Sequence, residues 1–193
     1  MAENEVELKS KQTLREPDES SLIQAAKQDP RAFSELYLLY VERVFKYLFS
    51  RLGNVHEAED ITAQTFLAAF ESFDRFHLNG QFAPWLFSIA RNKAIDHYRR
   101  HQKIASVNVD EMLDVPVEFE PLRAVIQSEQ TAALSKLIEA LPEEERELLR
   151  LRFLAEMSFP EIAKLLHRNP EAVKKSIYRL LARLHSQLEV NHE

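Results

Sequence analysis

Two stretches of positive charge are the chemically distinctive residues of this sequence. Residues 91–103 hold five basic side chains and one acidic one, and residues 164–183 hold six basic side chains and one acidic one. Between them, residues 104–135 hold six acidic side chains and one arginine, and the whole chain has a net charge of -6. Lysine and arginine at this density bind phosphates. Two basic segments separated by an acidic one therefore predict two contacts on one nucleic acid.

An aromatic loop leads directly into the first basic segment. Phe82 and Trp85 are of a type that stacks on unpaired bases, and the amides of Asn79 and Gln81, with the Gly80 backbone, suit the edge of a flipped-out base. The candidate phosphate ligands that follow are Arg91, Lys93, Arg99 and Arg100. The alternative is a solvated basic helix with its apolar first half, including Trp85, in a core. Both interpretations remain open, and the core role is favoured for Trp85.

The second basic segment has the pattern of a helix-turn-helix. Ser158 and Glu161 have capping-box spacing, and Asn169-Pro170 is typical of a second helix start. A helix-turn-helix places the start of its second helix in the major groove. The side chains predicted there are Arg168, Glu171, Lys174, Lys175, Tyr178 and Arg179. Lysine and arginine reach guanine edges or phosphates, and glutamate accepts from a cytosine amine. An ordinary helical hairpin with a solvated basic face would give the same pattern.

The elements that carry these residues are predicted to be helices throughout. Only two glycines occur in 193 residues, and apolar residues recur at helical spacing. We predict an all-α protein of two small helical domains, at 19–103 and 129–189, the second a helix-turn-helix. Residues 1–18 are predicted to be a disordered tail and residues 104–128 a flexible acidic linker.

Several helix faces and ends follow from local patterns. Asp29-Pro30 and Gly53-Asn54 are predicted to begin and separate helices. The helix near 55–73 is predicted to bury Ala58, Thr62, Thr65, Phe66, Ala69 and Phe70, and the last helix to bury Val173, Ile177, Leu180, Leu181, Leu184 and Leu188. The turn of the helix-turn-helix lacks glycine, so His167 or Asn169 must supply any left-handed residue.

The sequence lacks the residues and motifs that several other functional classes require. The absence of cysteine excludes disulfides and thiolate chemistry, and no glycine-rich phosphate loop or nucleophile elbow occurs. His97 and His101 have i, i+4 spacing, but no third ligand lies near them in the sequence, so neither a metal nor a cofactor is expected. No apolar stretch approaches the roughly 20 residues that span a bilayer. We therefore expect a cytoplasmic protein that is not an enzyme and is not inserted in a membrane.

The motifs resemble those of a known family. AEDITAQTFLAAFESF (58–73), followed by FAPWLFSIARNKAIDHYRR (82–100), resembles region two of the extracytoplasmic-function (ECF) group of sigma-70 family sigma factors. Residues 134–184 resemble their region four. The two motifs in this order are more specific than either alone. The turn without glycine and Pro84 before the tryptophan depart from the family's usual pattern.

This resemblance implies a role in transcription initiation. It implies that Glu59, Asp60, Gln64 and Thr65 dock on the clamp helices of the polymerase's largest subunit, and that the flap is a further contact. It implies that Arg75 to Arg100 melt and read the minus-ten promoter element, and that the helix from Pro170 reads the minus-thirty-five element. An anti-sigma factor is an expected partner. The alternatives are a sigma-like decoy for an anti-sigma protein and a plain helix-turn-helix regulator.

Overall fold

The computed structural model describes residues 19–77, 81–105 and 129–190, and the regular structure in these ranges is helical, which confirms the all-α fold. The helices are α1 (Glu19–Gln28), α2 (Phe33–Leu52), α3 (Val55–Ser72), α4 (Phe82–Ala105), α5 (Glu129–Glu139), α6 (Glu143–Leu149), α7 (Phe159–Leu166) and α8 (Pro170–Val190). The predicted tail, most of the predicted linker, Asn79 and Gly80 lie outside the described residues. Within the described part of the chain, no helix is both long and apolar enough to cross a bilayer.

Local sequence sets the helix ends of the first domain. Asp29 caps a 3₁₀ turn at Pro30–Ala32, its side chain accepting from the Arg31 backbone N–H, and α2 follows directly. Gly53 ends α2 with φ 73°, a left-handed conformation that glycine adopts without a Cβ clash. The Asn54 side chain then accepts from the Glu57 N–H and starts α3. The predicted breaks at both positions are confirmed.

Helix α2 is the centre of the first domain. Leu36, Tyr40, Val44, Tyr47 and Leu48 form a stripe with at most 1% exposure. The stripe contacts α3 and α4, while α1 covers its first half. Burial of each such side chain contributes about 1.5–3 kcal/mol before the loss of conformational entropy, which makes this stripe the main support of the domain.

The second domain contains the predicted helix-turn-helix. Ser158 and Glu161 form a complete capping box at the start of α7. His167 ends α7 in the left-handed region, with φ 53° and ψ 44°, so His167 rather than Asn169 takes the place of the glycine. The Asn169 side chain instead accepts from the N–H groups of Glu171 and Ala172 and caps α8. The short turn thus sets the direction of α8 without a glycine.

One predicted core position of α8 is wrong. Val173, Ile177, Leu180 and Leu184 are buried as expected and Leu188 is half-buried, but Leu181 is 36% exposed. The buried residues recur every three or four positions and define one narrow side of α8. Leu181 follows Leu180 directly, and a helix turns about 100° per residue, which directs Leu181 away from that side.

Replacing Ser158 with alanine is expected to destabilise the second domain by about 1 kcal/mol, because the capping box loses its hydroxyl. The hydroxyl lies 3.4 Å from the Glu161 N–H and 2.6 Å from its carboxylate. Thermal unfolding should show a decrease in Tm of about 2–4 °C. Ser186→Ala, at an exposed position of α8, is the matched control. Equal Tm values for the two variants would contradict the capping role.

The two domains pack against each other. Helix α7 contacts α4, and the π-helical turn Arg150–Leu154 contacts α2. A single apolar cluster contains core residues of both domains, among them Leu48 and Phe87 from the first and Leu151 and Met157 from the second. The structure is therefore a closed arrangement in which each domain covers part of the other.

Candidate nucleic-acid interface

Four aromatic side chains, Phe73, Phe76, Phe82 and Trp85, form a cluster on both sides of residues 78–80. The ring centroids of Phe76 and Trp85 are 4.9 Å apart, and those of Phe82 and Trp85 are 5.5 Å apart. Phe82 is completely buried, so its ring is not accessible to a base in this arrangement. Its ring packs edge-on against Tyr40 and Phe76, which provides the apolar contact instead. Trp85 is half-buried and retains an accessible side.

Helix α1 anchors the segments on both sides of residues 78–80. The Glu19 carboxylate accepts from the Tyr40 hydroxyl at 2.6 Å and from the Phe82 backbone N–H at 3.3 Å. Lys27 donates to the carbonyl oxygens of Phe73 and Asp74, at 2.5 and 3.0 Å. Burial and the neighbouring Glu19 raise the pKa of Tyr40, which keeps its hydroxyl a donor. These anchors were missed from sequence because each pairs with a residue far along the chain.

The polar residues predicted for the same interface fall into two groups. Arg75 and Gln81 are exposed on either side of residues 78–80. Arg99 and Arg100 are exposed on the second half of α4, and Lys93 is half-buried between them and the aromatic cluster. Arg75 adjoins the aromatic cluster, whereas Arg99 and Arg100 lie 14 and 15 residues after Trp85 along α4, about 21 Å away. Basic side chains spread along a surface that begins at aromatic rings suit a single strand, with phosphates and bases contacted separately. Arg91 belongs to a different environment, the contact between the two domains.

The predicted docking residues of α3 are only partly on the surface. Glu59, Asp60 and Gln64 are exposed. Thr65 has 0% exposure, and its hydroxyl donates to the Ile61 carbonyl at 2.7 Å, so it offers no accessible atom to a docking partner in this arrangement. The helix turns Thr65 toward the core, consistent with its place in the predicted buried stripe.

Two apolar residues of α3 are exposed beside this face. Phe70, predicted to be buried, is 48% exposed, and its ring packs edge-on against Phe33 at the domain surface. Leu67 is 59% exposed and lies one turn after Gln64. Exposed apolar side chains next to polar ones are typical of a protein contact surface. The helical spacing from Gln64 to Leu67 is the sequence feature that would have identified Leu67.

The predicted reading face of α8 is accessible. Glu171, Lys174, Lys175 and Arg179 are exposed, and Tyr178 is 55% exposed with its ring 5.9 Å from Phe159. Arg168 is also exposed, and its guanidinium donates to the Ser176 hydroxyl at 3.3 Å. The opposite side of α8 is in the core, so the basic side chains face outward together. This geometry suits insertion into a major groove.

A basic cleft adjoins this reading face. Its volume is about 300 Å³, and its charged lining residues are Glu144, Glu145, Arg168, Arg179 and Arg183. Arg183 is paired with Glu145 across α6 and α8. Glu145, in the first turn of α6, thus pairs with Arg183 of α8, so that Arg183 is directed toward α6 and not toward the reading face.

Glu147 is the polar centre of the contact between the domains. Its side chain is 8% exposed and accepts from the Tyr47 hydroxyl and from Arg51, each at 2.7 Å. Arg91 and Arg150 lie 3.7 Å from its oxygens. Burial, followed by the Glu147 charge, raises the pKa of Tyr47, whereas Tyr47 and Glu147 outweigh burial and raise the pKa of Arg51. Both groups therefore keep their protons and remain donors to Glu147.

This contact affects one predicted DNA ligand. The Arg91 guanidinium lies 3.7 Å from Glu147 in the closed arrangement and its side chain is 41% exposed, so it faces solvent only in part, unlike Arg99 and Arg100. A second polar contact, from Arg43 to the Ala155 carbonyl at 2.5 and 2.9 Å, lies beside it. Sequence reasoning missed Glu147 because the surrounding run of glutamates resembles a solvated first turn.

One group of potential metal ligands lies outside these surfaces. Glu57, at the start of α3, is near His97 and His101 on α4, and one ligand atom from each lies within 4.8 Å of the others. The sequence identified the histidine pair but not its acidic neighbour, which is distant along the chain.

Comparison with known proteins gives the same division into two parts. Residues 36–104 match the model of Sigma-70 region 2, and residues 131–184 match the model of Sigma-70, region 4. The ECF RNA polymerase sigma factor SigW of Bacillus subtilis is 32% identical over 86% of this chain and 93% of that protein. The ECF RNA polymerase sigma factor BldN of Streptomyces coelicolor is 36% identical over 79% of this chain, which spans 59% of that longer protein.

A solved structure has the same fold. The sigma factor RpoE in complex with the anti-sigma factor NepR, from Bartonella quintana, aligns with a TM-score of 0.63 and 20% identity, over 83% of this chain and 98% of that chain. The structural alignment extends over both helical domains, and the two family matches cover one domain each. The matches confirm the resemblance of the two sequence motifs, and the chain belongs to the ECF group of the sigma-70 family of RNA polymerase sigma factors.

Proposed function

We propose that this protein binds core RNA polymerase and directs promoter-specific transcription initiation, and that it does so without catalysing a reaction itself. The observation that carries the proposal is that both sigma domains are on one chain and each presents exposed basic side chains, on α4 and on α8. A decoy for an anti-sigma protein would not need either basic face. Because polymerase and chromosome are cytoplasmic in bacteria, the site of action is the cytoplasm.

The first domain is proposed to melt and read the minus-ten element. Unstacking a base costs a few kcal/mol, and stacking on an aromatic ring returns about 1–3 kcal/mol per base. Trp85 is the accessible ring of the aromatic cluster, and Arg75 and Gln81 are exposed beside it. Asn79 and Gly80 complete the proposed base-reading loop. Lys93, Arg99 and Arg100 are proposed to hold the phosphates of the opened strand, joined by Arg91 once the domains separate.

The second domain is proposed to read the minus-thirty-five element with α8. Its exposed side chains are directed away from the buried stripe, as major-groove insertion requires. Glu171 is proposed to accept a hydrogen bond from a cytosine amine, and Lys174, Lys175 and Arg179 to contact guanine edges or phosphates. Arg168 and Tyr178 flank this surface. The capped start of α8 at Asn169 adds a favourable N-terminal dipole for a backbone phosphate.

In the closed arrangement, the two domains cannot contact the minus-ten and minus-thirty-five elements at the same time. Their names place them about 25 base pairs apart, which is roughly 85 Å along B-DNA. The domains, however, share a buried hydrogen bond of 2.7 Å between Arg51 and Glu147. We propose that the closed arrangement is the form outside the polymerase and that the domains separate when the holoenzyme assembles. The segment between them is proposed to thread the polymerase.

The exposed face of α3 is proposed to dock on the clamp helices of the polymerase. Glu59, Asp60 and Gln64 supply its polar contacts, and Leu67 and Phe70 add the apolar area that the sequence assignment lacked. The flap is the proposed second contact. Because the relative RpoE is solved with an anti-sigma factor, an anti-sigma factor is the proposed inhibitory partner of this chain as well.

Holoenzyme assembly tests the docking proposal. Purified sigma-free core polymerase should bind the full chain, and Gln64→Ala should lower the affinity at least about fivefold, as expected for a contact worth 1 kcal/mol or more. Gln24→Ala, an exposed glutamine of α1 in the same domain, is the matched control. If core polymerase does not bind, or if both variants bind as the unmodified chain does, this docking surface is incorrect.

A further inference from the structure

We propose that Glu57, His97 and His101 form a binding site for a divalent transition-metal ion, with Zn²⁺ as the ion of best fit. The His97 Nε2 atom lies 3.1 Å from a Glu57 carboxylate oxygen. The rings of His97 and His101 are 4.3 Å apart between centroids, at an interplanar angle of 44°. One ligand atom from each of the three residues lies within 4.8 Å of the others.

The donor set selects the chemical class of the ion. Two imidazole nitrogens and one carboxylate oxygen are ligands of zinc, with metal–ligand distances of about 2.0–2.2 Å and a tetrahedral geometry completed by water. Tetrahedral bonds of that length place ligand atoms about 3.3–3.5 Å apart. The Glu57–His97 pair, at 3.1 Å, is within a few tenths of an ångström of that separation. A small rotation of each side chain, including exposed His101, completes the geometry.

The two helices hold the ligands in place before an ion binds. Glu57 is in the first turn of α3, where its backbone N–H donates to the Asn54 side chain at 3.1 Å. His97 is 18% exposed and is fixed against α3. The neighbouring Tyr98 hydroxyl donates to the Arg51 carbonyl at 3.0 Å, which ties this part of α4 to the end of α2. A site held in this way loses little conformational entropy on binding.

A hydrogen bond between His97 and Glu57 does not account for the third residue. That bond requires only one imidazole, whereas His101 lies one helical turn further along α4 and directs a second nitrogen into the same volume. Two histidines at i and i+4 with a carboxylate from a second helix are a recurring arrangement for zinc. The carboxylate is the third ligand that was lacking in the sequence.

A bound ion would cross-link two functional helices. Helix α3 carries the exposed docking residues Glu59 and Gln64, and the second half of α4 carries Arg99 and Arg100. The ion would join the start of one to the end of the other and hold the basic half of α4 in a fixed direction. This site is independent of the proposed function, since its binding is measurable without polymerase or DNA.

Calorimetric titration of the untagged full chain with Zn²⁺ tests the site. We expect one ion per chain, and a Tm increase of about 5–10 °C at a free-ion concentration near 100 times Kd. Titration with Co²⁺ should give the visible absorption of a tetrahedral site containing nitrogen ligands. His101→Gln should abolish the stoichiometric site without unfolding the protein, because that side chain is exposed. Glu57→Gln should weaken it.

The control variant is His185→Gln. His185 is an exposed histidine of α8 that pairs with Glu189, and its substitution should leave the titration unchanged. Absence of stoichiometric binding by the unmodified chain would overturn the proposal. So would binding that His101→Gln and Glu57→Gln both retain, with circular dichroism confirming that each variant is folded.

Discussion

Replacing Glu147 with glutamine is expected to shift the protein from the closed to an open arrangement of its domains. The side chain keeps its size, and the Tyr47 hydroxyl can still donate to the amide oxygen. Arg51, however, loses its charged partner at 2.7 Å while remaining only 12% exposed. Removing one partner of a buried ion pair typically costs about 3–5 kcal/mol. At 3 kcal/mol, the ratio of closed to open molecules falls roughly 100-fold.

The distance between the domains measures this shift. Because the chain contains no cysteine, a Ser34→Cys, Ser186→Cys background places one spin label in each domain, at exposed positions. The unmodified contact should give one short, narrow distance distribution, and Glu147→Gln a longer and broader one. Glu143→Gln is the matched control, because this exposed carboxylate of α6 pairs with Arg146 and Arg150 within its own domain. A narrow distribution in the Glu147 variant would mean that the apolar contact alone closes the structure.

Replacing Lys175 with alanine is expected to weaken binding to the minus-thirty-five element by roughly 5- to 150-fold, as for a contact to a base edge worth about 1–3 kcal/mol. Lys175 lies on the exposed side of α8, and Val173 and Ile177, two positions before and after it, are both in the core. The aliphatic core is untouched by this substitution, so the Tm should not change.

Titrations at several salt concentrations separate the two kinds of contact. If Lys175 binds a phosphate, affinity falls about equally for all sequences and the salt dependence decreases by about one ion. If it reads a base, the loss is confined to one promoter position. Lys136→Ala, an exposed lysine of α5 in the same domain, is the matched control. Unchanged affinity for the Lys175 variant would remove α8 from the proposed interface.

Local patterns in the sequence predicted the helix ends well. Gly53-Asn54, the capping box at Ser158 and the cap at Asn169 each depend on residues within four positions of one another. Such short-range hydrogen bonds and backbone preferences are determined by the types of neighbouring residues. The choice of His167 over Asn169 for the left-handed position was not predictable, because both residue types tolerate that conformation less readily than glycine.

Exposure was harder to predict than helix position. Phe82 and Thr65 have the residue types of a binding surface, but the first packs against Tyr40 and the second bonds to its own helix. Phe70 has the type of a core residue and is exposed. Which side of a helix is covered depends on the neighbouring helices, and their arrangement is not contained in the periodicity of one segment.

The long-range polar pairs were not predictable at all. Glu147 is 96 positions from Arg51, and Glu57 meets His97 only through the packing of α3 on α4. Each glutamate is in an acidic first or second helical turn, where the helix dipole gives a sufficient reason for its presence. Their additional contacts depend on tertiary structure. Glu147 is central to the proposed closed arrangement of the domains, and Glu57 is a ligand of the proposed zinc site.

Run-off transcription with sigma-free core polymerase tests the central claim most directly. The purified chain is added to the core enzyme with a library of promoter templates, at low and moderate salt. We predict specific transcripts that require the protein, and a loss of those transcripts when either promoter element is replaced. Absence of transcripts across a broad library, together with absence of binding to core polymerase, would contradict the proposed function and favour a decoy or a plain helix-turn-helix regulator.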